Sequence, residues 1–497
     1  MARLSKVLYI VVGVLQRFFP WKLAIRRDNF PTVFLLLVTF LCFGLLLLMP
    51  NFNVLPDLRV TVLTTQPSVS ACKLPDLSEV ELPYIKPMPP ASPARCRSEY
   101  NVTYSIDGSY RLHVTWYSPE YDDNEEFTPY CKYREFKFGL RPSEFAFGPW
   151  TEIVKQSAQL NQQSKYIHLM CVLDLFFKVA DFYIPVLPTD ASEPDLATQG
   201  DNQSFPVNVL LLVLRGLSRE NFILDFKSTH GFLLHELGSV DLMHHTQLSH
   251  VYVENIGPVL MGRRPQGIVS PQEVIWNSFH QNGYSIVLAE DSHLKGVLPQ
   301  MSTREYYTSF PLMMAMNSKK DTGTKICLGG HLDLNFQLTF AKRFFHAFPR
   351  QPVFAYILLT EMKSKLSLDN ELYSFFQSMK DSGHLDKTLI LTMSDSTGYL
   401  TRRKKPEAEA LSPAMFLTLP KALEDKRSNL TWNSHKMTSH YDIYLTLKDV
   451  LHTFQNPKAK PHAQSLTPPH AHSLFEKIPT TRSCQMAQVP KKMCICL

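Results

Sequence analysis

The chain has 497 residues, with 51 Lys and Arg against 45 Asp and Glu and a net charge of +6. Hydrophobic residues make up 44% and charged residues 19%, the balance of a globular fold with room for one large domain and accessories, or two domains. The small charge excess excludes the dense basic surface of a nucleic-acid-binding protein.

In chain order, the first feature is FPTVFLLLVTFLCFGLLLLMP, residues 30–50, which carries no charge. About 20 apolar residues, rising about 1.5 Å each in a helix, cover a hydrocarbon core of about 30 Å. Arg3, Lys6, Arg17, Lys22, Arg26 and Arg27 precede it with Asp28 as the only acid, and Asp57 and Arg59 follow. By the positive-inside rule, residues 1–29 are a cytoplasmic tail, residues 30–50 a transmembrane signal-anchor, and the remainder is lumenal or extracellular. These flanks predict a single-pass type II membrane protein of the Golgi and secretory pathway or the cell surface. A cleaved signal peptide is the competing reading; against it, the run is long, starts late, and ends in Met49 and Pro50 without a small-residue cleavage pattern.

Cys42 lies in the span, leaving Cys72, Cys96, Cys131, Cys171, Cys327, Cys484, Cys494 and Cys496. An even number in an oxidising compartment points to disulfides, with the pairing open and free buried thiols as the alternative. Cys494 and Cys496 lack His or Cys partners at zinc spacing. Glycosylation sequons stand at Asn101, Asn202 and Asn429, consistent with a glycoprotein domain on the same side.

Residues 51–98 are Pro-rich, a semi-rigid stem. Residues 99–185 contain short alternating stretches such as YRLHVTWY (110–117) and predict a small β-rich module. Residues 187–203 are polar and turn-rich, a linker. Residues 204–456 predict an α/β domain. Its strands are VNVLLLVL (207–214) and those at 284–288, 353–359, 388–393 and 414–419, and its helices lie at 218–237, 271–282, 368–382 and 442–454. Continuous apolar strands without alternation suit a parallel sheet buried on both faces, and alternation of strands with helices suits an α/β/α sandwich. The Phe-rich stretch FQLTFAKRFFHAF (336–348) has the spacing of a core helix. Residues 457–497 form a Cys-containing C-terminal tail, irregular around its prolines, in which His462, His470 and His472 have no ordered metal-ligand spacing. Arg402, Arg403, Lys404 and Lys405 read as a solvated basic loop, and no phosphate-loop motif occurs.

Ligands of doubly wound sheets bind beyond the carboxyl ends of the strands. Two such ends stand out: Arg215 and Gly216 after the first strand, and Asp395 to Gly398 after the late one. The segments NVLLLVLRGLSRENF, EVIWNSFHQNGYSIVLAED, SGHLDKTLILTMSDSTG and SLFEKIPTTRSCQMAQVPKKMCIC, with the CLG at 327–329, resemble the metazoan membrane-anchored family called domain of unknown function 229. That family is similar in fold to the alkaline phosphatase and sulfatase superfamily, and the resemblance spans roughly residues 72–496.

The resemblance implies a metal-ligand set at the strand ends, from which this sequence departs. Arg215 stands where the superfamily places a first Asp, and Thr229 where it places the nucleophile. Thr360 to Ser364 carry no His-Asp pair, and Asp395 matches a late Asp whose His partner is replaced by Ser396. A divalent ion needs several anionic or imidazole ligands, so no cofactor is expected. Thr229 and Asp395 are vestigial positions, each open to a bland reading as a cap or turn residue. Asp395 has the further alternative of pairing with Arg215, which is itself a possible anion site. Three functions remain open: a catalytically inactive sulfatase-like protein that binds an anionic glycan or a protein partner, an ester hydrolase using a divalent metal with altered ligands, and a structural or adhesion ectodomain. The topology is checked by glycosidase treatment of the expressed chain. The apparent mass should fall through Asn101, Asn202 or Asn429, and an N-terminal tag should be inaccessible on intact cells.

Overall fold

In the computed structural model residues 69–497 cluster as one unit. The structure describes residues 72–75, 101–117, 130–138, 145–172, 179–187, 206–266, 270–290, 307–308, 327–328, 331–349, 351–360, 365–398, 411–455 and 470–496. The expected signal-anchor, most of the stem, Cys96, Asn202, His462 and the basic run Arg402, Arg403, Lys404 and Lys405 lie outside them. Among the described residues no helix is long and apolar enough to cross a membrane.

The β-rich module is present as two sheets. In the first, β1 (Asn101–Ile106) pairs with β2 (Arg111–Tyr117), which pairs with β6 (Ser157–Gln159), all antiparallel. The second contains β3 (Tyr130–Phe138), β4 (Phe145–Phe147), β5 (Thr151–Glu152), β7 (Tyr166–Val172) and β8 (Val179–Pro185). Side chains alternate across a strand, and the inward set, Leu112, Val114, Tyr133, Ile167 and Leu169, packs into one core. Cys131 and Cys171 are directly opposed on β3 and β7 and form a disulfide with Cα atoms 4.1 Å apart. Phe136, Tyr166 and Leu187 belong to the core of the α/β domain, so the module is packed onto that domain and the linker expected at residue 187 starts from a buried side chain. The Arg343 guanidinium also hydrogen-bonds the Tyr104 hydroxyl.

The α/β domain is built on β9 (Asn208–Leu214) as the middle strand. It pairs in parallel with β16 (Val353–Leu359) and β17 (Thr388–Ser394). The seven-stranded order is β10 (Val240–Asp241), β18 (Met415–Thr418), β17, β9, β16, β12 (Ser285–Glu290) and β13 (Tyr307–Thr308). Two short ladders lie outside it, β11 (His245–Thr246) with β19 (Thr438–Ser439) and β14 (Cys327–Leu328) with β15 (His331–Leu332). The helices are α1 (Arg219–Asp225), α2 (Lys227–Gly231), α3 (Tyr252–Met261), α4 (Ile275–Gln281), α5 (Asp333–Ala347), α6 (Lys365–Asp381), α7 (Arg427–Ser434) and α8 (His440–Gln455). The pleat divides the apolar run of β9 between the two faces. Leu210, Leu212 and Leu214 join Phe222, Phe344 and Phe376 from α1, α5 and α6. Val209, Leu211 and Val213 join Ile256, Phe279 and Leu447 from α3, α4 and α8. The mixed α/β architecture is the one the uninterrupted strands predict.

Two expectations change in detail. The helix expected at 218–237 is broken into α1, α2 and a π-helical turn, Phe232–Glu236. Phe226 leaves helical dihedrals (φ −116°, ψ 50°) and stacks on Phe222 at 5.4 Å. The Asp369 carboxylate on α6 then accepts from the Ser228 and Thr229 N–H groups at 3.0 and 2.8 Å, satisfying donors at the new helix start. The tail is irregular but not detached: Ala471, Leu474, Phe475, Ile478, Ala487 and Ile495 are buried against the domain.

One ion pair anchors that tail. Arg482 donates to both oxygens of Asp442 at 2.8 Å, with side chains 2% and 0% exposed. The His472 and Ser439 N–H groups also donate to Asp442. Disulfides Cys484–Cys494 and Cys72–Cys496 close the same region, the second across 424 residues. The Cys494 and Cys496 sulfurs are therefore engaged in disulfides rather than in a metal centre. Removing one partner of a buried ion pair leaves the other charge uncompensated, at a cost of about 3–5 kcal/mol. Arg482→Ala should lose that much in urea denaturation. Lys380→Ala, which breaks the exposed pair with Glu236, should lose about 0–1 kcal/mol.

Candidate functional site

The parallel alignment of β16, β9 and β17 brings their carboxyl ends to one edge of the sheet. A cavity of about 110 Å³ lies there, lined by Arg215, Gly216, His250, Tyr252, Asp395, Ser396 and Gly398. Its floor is the contact between the turns that follow β9 and β17. Gly216 and Gly398 have φ of +66° and +71°, and a Cβ on Gly398 would stand 2.5 Å from the Gly216 carbonyl oxygen. Only glycine gives both the left-handed conformation and the close approach.

Side chains clip the two turns together. Asp395 is 1% exposed. Its Oδ1 accepts from the Gly216 N–H at 2.8 Å and its Oδ2 from the Ser396 hydroxyl at 3.0 Å. Ser394 Oγ accepts from the Leu217 N–H at 2.8 Å and donates to the Ser396 carbonyl at 2.6 Å. Burial pushes the Asp395 carboxyl above its ordinary range, and the Gly216 and Ser396 hydrogen bonds and the Arg215 charge pull it back.

Arg215 extends the β9–β16 ladder through its N–H to the Leu359 carbonyl at 3.0 Å. Its guanidinium lies over the Tyr252 ring at 5.0 Å. The Tyr252 hydroxyl meets that of Tyr356 at 3.2 Å, and burial pushes both phenols well above their ordinary range. Arg215 and Asp395 share the cavity without a direct ion pair among the described residues. Asp395 is held by Gly216 and Ser396 instead.

Behind the cavity stand two imidazoles, both fully buried, with ring centroids 4.9 Å apart. His440 Nε2 is 2.9 Å from the Asp395 carbonyl oxygen and Nδ1 is 3.3 Å from that of Thr246. His245 Nδ1 meets the Thr438 hydroxyl at 3.0 Å. Burial pushes His440 down to about 4, against the pull of the two carbonyls. At neutral pH one ring nitrogen carries the proton, and the shorter contact assigns it to Nε2, donating to Asp395. Gln247 Oε1 accepts from the Thr397 N–H at 2.9 Å and fixes the far side of the turn.

Of the residues singled out in the sequence, Arg215 and Asp395 meet in the cavity. Thr229 does not line it. It is fully buried in α2, and its hydroxyl donates to the Asp369 carbonyl at 3.1 Å. Its helix packs on α6, so it holds two helices together and presents no hydroxyl at the strand ends. His250 and Tyr252, which the sequence did not single out, take part because α3 begins at the cavity with Tyr252. No motif marks them. Asn101 opens β1, and Asn429 lies in α7 with its Nδ2 donating to the Phe475 carbonyl at 2.8 Å, so a glycan there would sit against the docked tail.

The described residues of the cavity do not fit a divalent cation. Their single carboxylate already accepts two hydrogen bonds, and a guanidinium shares the space. A hard cation requires several oxygen ligands and is repelled by that charge.

The chain belongs to the family described as "Protein of unknown function (DUF229)", whose model matches residues 90–497. No curated protein matches it. Among solved structures it is similar to a protein in the alkaline phosphatase superfamily from Vibrio parahaemolyticus, at 13% identity and a TM-score of 0.36, covering 50% of this chain and 67% of that one. It is similar also to the C-terminal periplasmic domain of a phosphoethanolamine transferase from Campylobacter jejuni, at 11% identity and a TM-score of 0.38, covering 56% of this chain and 97% of that one. A third is the phosphonate monoester hydrolase of Agrobacterium radiobacter, at 11% identity and a TM-score of 0.35, covering 52% of this chain and 78% of that one.

His440 ties the site to pH. Unfolded, it takes up a proton near the ordinary value of 6.5; folded, only near about 4. Between these values the unfolded state binds more protons, so stability falls as pH drops from about 6.5 towards 4. The shift corresponds to roughly 3 kcal/mol. Urea midpoints at about pH 7 and pH 4.5 should show a smaller acid loss for His440→Gln than for the wild type.

Proposed function

We propose that the chain is a single-pass type II membrane protein of the secretory pathway or cell surface whose α/β domain binds an anionic group at its strand ends without hydrolysing it. The observation that carries this reading is Arg215. Its guanidinium lines the cavity and lies over Tyr252, with no ion-pair partner among the described residues. A guanidinium against an aromatic ring is pre-organised for a phosphate, sulfate or carboxylate oxygen pair. His250, exposed on the same wall, adds a second polar group. Hydrolysis would need a nucleophile and a means of activating it. Thr229 lies elsewhere, and the Tyr252 phenol is held neutral by burial.

The test uses the full-length chain in detergent. Sodium sulfate and sodium phosphate in the millimolar range should raise the Tm of the wild type by several degrees, and Arg215→Ala should lose that shift while keeping its unliganded Tm. Generic phosphate and sulfate esters with added zinc, calcium or magnesium should give no turnover above background. Metal-dependent turnover that disappears in Asp395→Asn would overturn the reading and establish a hydrolase with an altered ligand set.

A further inference from the structure

A second group of cations and aromatics lies on the β-rich module, apart from the strand-end cavity. The register of β3 with β7 sets Arg134 opposite His168 and Lys132 opposite Met170. Strand alternation turns Lys132 and Arg134 to the face opposite Cys131 and Tyr133, which are buried. The Arg134 guanidinium carbon lies 3.9 Å from the Phe147 ring centroid and 4.4 Å from that of Trp150. Lys132 Nζ lies 4.7 Å from the Trp150 centroid. His168, 1% exposed, sits beneath: its ring centroid is 4.9 Å from Trp150, and its Nδ1 accepts from Arg134 Nε at 3.1 Å. That bond makes Nδ1 an acceptor and leaves the His168 proton on Nε2.

The cluster has features that folding alone does not require. Trp150 and Phe147 are 36% and 38% exposed, and both lie against the Arg134 guanidinium. Lone exposed apolar side chains are ordinary; neighbouring aromatic rings carrying cations are not. Among the described residues neither Lys132 nor Arg134 has a carboxylate within ion-pair distance. The nearest acid in the register, Glu152 opposite Lys132, accepts from the Tyr130 hydroxyl at 2.6 Å. The buried imidazole takes Arg134 Nε and so fixes the plane of the guanidinium, whose terminal nitrogens have no hydrogen-bond partner among the described residues. A fixed, stacked guanidinium loses little conformational freedom when it meets a planar or tetrahedral anion.

We propose that this face is a binding site for an anionic oligosaccharide, with Trp150 and Phe147 as the platform for a sugar-ring face and Lys132 and Arg134 as ligands for its carboxylate or sulfate groups. A pyranose offers an apolar C–H face to an aromatic ring and polar substituents around its rim, which matches flat aromatics bordered by fixed cations. A globular protein partner is the poorer match: a stable protein interface buries about 800 Å² per partner, and the exposed large apolar side chains among the described residues of this module are Tyr130, Phe147, Trp150 and Val154, interspersed with cations. The site is independent of the reading of Arg215.

The test measures binding of oligosaccharides to the full-length chain in detergent, by calorimetry and by tryptophan fluorescence. Three probes of equal length are compared: a heparin-derived oligosaccharide carrying uronates and sulfates, its desulfated counterpart, and a neutral malto-oligosaccharide. The wild type should bind the first or the first two and not the third, which separates sulfate from carboxylate recognition. Trp150→Ala should weaken binding at least tenfold and abolish the fluorescence change. Lys132→Gln should weaken it severalfold and flatten its salt dependence. Because Arg134 bonds a buried imidazole, it is tested as Arg134→Lys, which keeps the charge and loses the planar fork; affinity should fall severalfold while the fold persists with a Tm lowered by the lost His168 bond. Arg215→Ala should bind as the wild type does, so that failure here and failure of the strand-end reading are separate results. No binding by the wild type, equal binding of the neutral probe, or unaltered affinity in Trp150→Ala would each overturn the proposal.

Discussion

The turns that follow β9 and β17 pass each other at Gly216 and Gly398, so closely that a single added carbon on Gly398 would meet the Gly216 carbonyl at 2.5 Å. The strand-end site follows from that contact. It lets the Asp395 carboxylate reach the Gly216 N–H and Ser394 Oγ reach the Leu217 N–H. With both turns tied, the Arg215 side chain leaves over Tyr252 instead of folding back on Asp395. A carboxylate committed to backbone donors and a guanidinium stacked on a phenol make a cavity suited to anions rather than to hard cations.

The tail reaches the same region from behind. Arg482 holds Asp442 in the first turn of α8, and His440, two residues earlier, donates to the Asp395 carbonyl. Met493, near the C-terminus, accepts through its carbonyl from the Thr246 hydroxyl, and the Thr246 carbonyl faces the other nitrogen of His440. A segment whose described residues, 470–496, contain no strand and one short 3-10 turn is thus part of the support of the late strand-end turn. Its order comes from a buried ion pair and two disulfides, since it lacks repetitive backbone hydrogen bonding. Cys72 is tied to the same place through Cys496.

The β-rich module is joined to the domain differently. Phe136 and Tyr166 stack at 5.5 Å and enter the apolar core shared with α5 and α6. The same strands, two residues further along, carry Arg134 and His168. One sheet face therefore passes from a buried joint to an exposed aromatic and basic surface within two residues. Docking onto the domain fixes its orientation.

The apolar periodicity of the sequence determined the α/β class and most of its elements. The strands at 353–359 and 388–393 coincide with β16 and β17 to within one residue, because β-branched and leucine runs bounded by polar turns have few other ways to leave water. The two strand ends singled out in the sequence lie side by side, and Arg215 and Asp395 line one cavity. An even cysteine count gave disulfides without their partners; Cys72 and Cys496 stand 424 residues apart, and only the docked tail brings them together. Thr229, which the resemblance sets at the nucleophile position, does not line the cavity, because distance along the chain after a strand does not say which residue returns to the strand end. The bend at Phe226 sends Thr229 to α6 instead, and the start of α3 returns His250 and Tyr252. Local pattern sets which segments are buried. Which side chains meet at a site is set by how distant segments pack, and that depends on three-dimensional contacts no local spacing encodes.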